Sequence, residues 1–142
     1  MISIGSDHAG FDLKEEIIEF LQSKGVELND RGTYSTESTD YPEFAHAVAE
    51  DVEGGKSSWG ILICGSANGV SMSANKHAGI RCAICWEPEL AELAKQHNDA
   101  NIIALPARFI SSDVAKSIVE AYMASEFEGG RHQRRVEKIA MC

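Results

Sequence analysis

A chain of 142 residues, 44% apolar and 25% charged, has the length and composition of one domain able to bury a real core. Its net charge of −9 excludes a nucleic-acid or anionic-membrane surface as the main partner, and no stretch approaches 18 consecutive apolar residues. The start, MISIGSDHAG, has no basic segment leading into a long apolar run, so a cytoplasmic protein is expected.

Short apolar runs alternate with amphipathic ones along the chain. Ile2 to Ser6 reads as a strand, and Phe11 to Lys24 as a helix with Leu13, Ile17, Phe20 and Leu21 on one stripe. Its Lys14, Glu15, Glu16 and Glu19 are left largely to solvent, and Gly25 stops it. Val26 to Asn29 is the next strand; Gly32 to Asp40, GTYSTESTD, is the longest polar loop and a candidate to line a site. A second helix starts after Pro42 and ends at Gly54 and Gly55. A strand at Gly60 to Cys64 leads to a helix after Gly69, and a strand at Ile80 to Cys85 to a helix beginning near Pro88. Asn101 to Leu105 is the fifth strand, followed by a helix over Ser112 to Ser125. Beyond Gly129 and Gly130, RHQRRVEKIA reads as a last helix, an arm over 129–142 able to reach a partner subunit. This alternation predicts right-handed βαβ units: a single domain, 1–142, built as a three-layer α/β/α Rossmann-like sandwich around a mostly parallel sheet of about five strands. Ligands of such folds bind beyond the carboxyl ends of the strands, where strand order reverses.

Reading those ends gives Ser6, Asp7 and His8, then Cys64 to Gly69, and, at the end of the fourth helix, Gln96, His97, Asn98 and Asp99. Acid, imidazole and thiol are thus expected on one rim. The plain alternatives are Asp7 as the cap of the first helix and His97 as a helix C-terminal histidine. GSANG, at Gly65 to Gly69, offers small residues and consecutive amides suited to an anion, or simply a tight turn. It lacks the lysine and hydroxyl of a phosphate loop and is not GxGxxG.

Cys64 has several readings. Strand, cysteine, loop and helix resemble the layout of cysteine phosphatases, but the position for their arginine is Val70. As a general base the thiol needs helix N-terminal amides to favour the thiolate, and GSANG followed by a helix supplies them. Cys82 and Cys85 form a CxxC within a strand, where odd spacing sends the side chains to opposite faces, so a structural role is favoured over redox or zinc chemistry. Cys142 reads as an exposed free thiol, and Trp59 and Trp86 as packing residues. Arg131 and Arg135 lie four apart on one helix face and together suit a phosphate. On charge pattern alone, a solvated helix paired with Glu137 and other acids is the stronger reading.

GSDHAGF, TDYP at Thr39 to Pro42, ILICGSANGVSMSANK at Ile61 to Lys76, GIR at Gly79, QHND at Gln96 to Asp99 and EGGRHQRRV at Glu128 to Val136 together resemble a sugar-phosphate isomerase family, that of type B ribose-5-phosphate isomerases and their relatives acting on allose 6-phosphate and galactose 6-phosphate. The resemblance covers nearly the whole chain. It implies interconversion of D-ribose 5-phosphate and D-ribulose 5-phosphate through a cis-enediolate, with no metal and no cofactor, in a homodimer or a tetramer of paired dimers.

By position, the resemblance makes Cys64 the base that moves the proton between carbons 1 and 2; relatives without this thiol use a glutamate just after the loop, where this chain has Val70. It makes His97, with Asp7, the ring opener, and gives the enediolate oxygens to Ser66 and the loop amides of Gly65, Ala67, Asn68 and Gly69. It gives the phosphate to His8, Arg108, Arg131 and Arg135, the last two from the neighbouring subunit, and the sugar hydroxyls to Tyr41 and Asn98. The loop departs from the commoner GTGxG form at Ser66 and Ala67, and alanine adopts a positive φ less readily than glycine. A hexose-6-phosphate isomerase with the same machinery, and a sugar-phosphate-binding protein without turnover, are the alternatives.

Overall fold

The computed structural model describes residues 1–140, so Cys142 lies outside the described residues. Five strands, β1 (Ile2–Ser6), β2 (Leu28–Asp30), β3 (Trp59–Cys64), β4 (Cys82–Ile84) and β5 (Ile102–Pro106), form one all-parallel sheet in the order β2-β1-β3-β5-β4. Six helices connect and flank them: α1 (Phe11–Ser23), α2 (Tyr41–Glu53), α3 (Asn68–Ala74), α4 (Pro88–Asn98), α5 (Ser112–Met123) and α6 (Arg131–Ile139). No described helix is long and apolar enough to cross a membrane.

The three layers follow from strand alternation. Ile61 and Ile63 of β3, with Ile103 and Leu105 of β5, face one core shared with Leu13, Ile17 and Leu21 of α1 and the apolar sides of α4 and α5. Leu62 and Cys64, with Ile102 and Ala104, face the other core, shared with Val48 of α2 and Val70 and Ala74 of α3. Cys85 falls in the first core and Cys82 against the second, the opposite placement that their spacing predicts. Burial pushes both thiols up to about 12, which suits inert packing.

Most element boundaries fall within two residues of those expected. The third helix starts before Gly69, at Asn68, because Ala67 takes a left-handed conformation (φ 66°) that breaks the chain direction one residue earlier.

Lys14 corrects the expected solvent face of α1. It is fully buried, its ammonium 2.8 Å from both carboxylate oxygens of Asp30 and 3.1 Å from Glu15, above the rings of Phe11 and Tyr34. Position 14 belongs geometrically to the edge of the stripe, three residues before Ile17, but its charge reads as outward until β2 supplies a counter-ion. Asp30 also accepts from the Gly32 amide, so the pair anchors the loop that runs to Thr39. Lys14→Met, which keeps the stem and leaves the carboxylate unpaired, is expected to lower unfolding free energy in urea by about 2–3 kcal/mol, below the usual range for a broken buried pair because water reaches Asp30. A loss under about 0.5 kcal/mol would show the pair to be energetically idle.

Candidate functional site

β1 and β3 are neighbours, yet the helix after β1 packs on one face of the sheet and the helix before β3 on the other. The helix after β3, α3, packs on that other face too, so the loops leaving these two strands part company and open a crevice at the switch point. A cavity of about 530 Å³ fills it, lined by Asp7, His8 and Ala9 after β1, Tyr41 at the start of α2, Cys64, Gly65, Ser66 and Gly69 after β3, and Arg108 and Phe109 after β5.

Cys64 is the last residue of β3 and almost fully buried. Its carbonyl accepts from the Ala107 amide at 2.9 Å and the Gly65 carbonyl from the Arg108 amide at 3.1 Å, so the exits of β3 and β5 are joined. That brings Arg108, an exposed cation with no carboxylate at ion-pair distance among the described residues, to the thiol's side of the cavity. A Cβ on Gly65 would approach the Arg108 guanidinium at 3.0 Å, and one on Gly69 would collide with the Tyr41 ring. Glycine at these two positions is what allows arginine and phenol to lie against the loop backbone.

Ser66 is exposed, its hydroxyl accepting from the Asn68 amide at 3.3 Å. Ala67 is buried with its positive φ, so its methyl packs while the turn aims the following amides forward. Asn68 lies one step aside, in a neighbouring apolar cavity with Trp86. Trp59 packs on Tyr122, with ring centroids 4.4 Å apart. Trp86, by contrast, is 52% exposed, which corrects the expectation that it packs: it follows a strand end where no helix covers it.

Asp7 does not cap α1, whose N-cap is Gly10, but the short turn just before it. One carboxylate oxygen accepts from the Gly10 amide at 3.1 Å, capping a 3₁₀ turn at His8–Gly10, while the residue lines the cavity. His8 Nδ1 accepts from the Thr39 amide at 3.1 Å, and the His8 amide donates to Thr39 Oγ1. A neutral His8 must then carry its proton on Nε2, as a donor suited to an anion. The polar loop Gly32 to Asp40 thus serves the cavity through Thr39, and its tip does not line it.

His97, Asn98, Arg131 and Arg135 are not in this cavity, which corrects the reading of a single rim. In an all-parallel sheet a helix between two strands runs back against them, so the end of α4 lies at the amino edge beside the start of β5. The length of a strand, roughly 15–20 Å, separates that edge from Cys64. There His97 stacks on His132, ring centroids 4.3 Å apart, next to Glu128. Asn98 lines a separate cavity with Arg81 and Ile139. Arg131, Arg134 and Arg135 are exposed, and none has a carboxylate at ion-pair distance among the described residues; Glu137 bonds Gln133 instead. The expected pairing of these arginines with acids is therefore absent. Ile139 and Ala140 are exposed.

Sequence reasoning passed over Ala9 and Phe109. Both follow a strand end, and the rule that picked out Asp7 would have found them, as it would Arg108, which the resemblance alone supplied.

A family described as ribose/galactose isomerase matches residues 2–139. Ribose-5-phosphate isomerase B of Escherichia coli (strain K12) is 51% identical over 138 residues, covering 97% of this chain and 93% of that protein. The crystal structure of a ribose 5-phosphate isomerase from Thermotoga maritima superposes with a TM-score of 0.98 at 46% identity, covering 99% of this chain and 97% of that one. Ribose-5-phosphate isomerase B from Mycoplasma genitalium with bound ribulose 5-phosphate matches with a TM-score of 0.93 at 42% identity, over 98% of this chain and 93% of that one.

Proposed function

The chain belongs to the ribose/galactose isomerase family, and from that premise we propose that it interconverts D-ribose 5-phosphate and D-ribulose 5-phosphate, without a metal, with Cys64 as the base. It is an isomerase. The observation that carries the assignment of roles is the convergence of Cys64, Ser66, His8 and Arg108 on one cavity at the β1/β3 switch point.

The Cys64 thiolate takes the proton from carbon 2 of the open-chain aldose and returns it to carbon 1, so that one group serves both half-reactions. Between them the substrate is a cis-enediolate, whose oxygens lie against Ser66 and the loop amides of Gly65, Ala67, Asn68 and Gly69, fixed dipoles at the place where negative charge develops. Tyr41 holds sugar hydroxyls. His8 and Arg108 take the phosphate, His8 through the Nε2 proton that Thr39 fixes.

A second subunit completes this site. The partner subunit's Arg131 and Arg135 close on the phosphate, its Asn98 meets the sugar, and its His97 opens the furanose ring with Asp7. Three features support the arrangement: these residues lie a strand length from their own cavity, the arginines have no acid partners among the described residues, and Ile139 on the same helix is 57% exposed. A twofold interface that sets the amino edge of one sheet against the carboxyl edge of the other builds two identical sites.

Catalytic efficiency on ribose 5-phosphate and allose 6-phosphate tests the substrate. One extra carbon against a fixed phosphate clamp is expected to lower kcat/KM by at least ~10-fold. Equal or better turnover of allose 6-phosphate would assign the chain to hexose phosphates, and no turnover of either would leave a binding protein.

A further inference from the structure

His97, Glu128 and His132 hold one ligand atom each within 4.8 Å of one another. The Glu128 carboxylate oxygen is 3.6 Å from His97 Nε2 and 3.4 Å from His132 Nε2, too long for good hydrogen bonds. Those spacings are instead close to the edge of a tetrahedron around Zn²⁺, about 3.3–3.4 Å when the bonds are 2.0–2.1 Å. The backbone sets this up. The Glu128 amide donates to the Gln96 carbonyl at 3.0 Å, holding the carboxylate beside the end of α4. Gly129 and Gly130, both at positive φ, then turn the chain so that His132 comes back over His97.

We propose that these three side chains form a site for a divalent transition metal of the zinc type, with two imidazoles, one carboxylate and an open fourth position. Closing on the ion requires the stacked rings, now 9° from parallel, to unstack and tilt by some tens of degrees, because the in-plane lone pairs of parallel rings do not meet at one point. Two imidazoles and a carboxylate favour zinc or its neighbours over calcium or magnesium. The ion is no part of the isomerisation. It occupies Nε2 of the imidazole assigned above to ring opening, so bound metal is an inhibitor of the reaction. Binding stands on geometry alone, and inhibition rests on the role given to His97.

Zn²⁺ binding by competition with a chromophoric zinc indicator, together with isomerase rates with and without Zn²⁺, tests both parts. Cys64→Ala should bind Zn²⁺ within about twofold of the unaltered protein, since the thiol is not a ligand. Glu128→Gln, a change at a half-exposed side chain, should bind at least ~10-fold more weakly, and His132→Gln likewise. Unchanged binding by Glu128→Gln, or loss of binding in Cys64→Ala, would overturn the site. In the unaltered protein Zn²⁺ should slow turnover, EDTA should restore it, and Glu128→Gln should resist. Binding that needs Glu128 and leaves turnover untouched would uphold the site and overturn the ring-opening role of His97.

Discussion

Cys64→Ala is expected to lower kcat about 10³-fold while changing KM by less than about threefold, as measured by direct assay of ribulose 5-phosphate formation. In the proposed assignment the thiol touches the carbon-bound proton alone, while His8 and Arg108 hold the phosphate and Tyr41 the hydroxyls. Its removal therefore takes away an interaction made only as the proton moves. General-base catalysis contributes about 10²–10⁴-fold, and the position just after the loop offers no carboxylate in its place, being the fully buried Val70. Cys64→Ser should be nearly as inactive, since a serine hydroxyl is far too weak an acid to supply an anion at neutral pH. Activity above a few per cent in the alanine variant would move the base elsewhere, with Asp7 the next group on the cavity wall.

The strand ends and loops of the cavity were legible because their signals are local. A strand that ends in Cys64 and Gly65 places its own side chains, and alternation alone sent Cys82 and Cys85 to opposite faces. What failed to be legible depends on partners distant in sequence. Lys14 looked solvated because its counter-ion, Asp30, arrives on the next strand. Trp86 looked buried because nothing local says that no helix covers it. His97 is a different case: its helix was correctly read, but the direction of a crossover helix sends its last turn to the opposite edge of the sheet. That is a rule of topology, and applying it to the sequence would already have separated His97 from Cys64. The arginine pair was visible as spacing, whereas its lack of acid partners among the described residues is a property of the folded surface.

The proposed two-subunit site, with Cys64 from one chain and Arg131 and Arg135 from the other, is open to a direct test by mixing subunits. Arg131→Ala with Arg135→Ala in one chain removes two charge-assisted contacts to the phosphate, expected to reduce kcat/KM by about 10²–10⁴-fold. Cys64→Ala alone is similarly inactive. Co-expressing the two chains with different tags, and purifying species that carry both, isolates heterodimers. If each site takes its thiol from one subunit and its arginines from the other, one site of the heterodimer collects all three lesions and the other collects none. Activity should then return to about half of the unaltered dimer, far above either parent. If each chain used its own arginines, one site would keep the cysteine lesion and the other both arginine lesions, and the heterodimer would stay at the level of its parents. Substituting His97→Asn for the arginine pair should give the same recovery, since His97 lies on the same amino edge. Recovery with the arginines and none with His97 would place the phosphate clamp in the partner and leave ring opening to Asp7 within the chain.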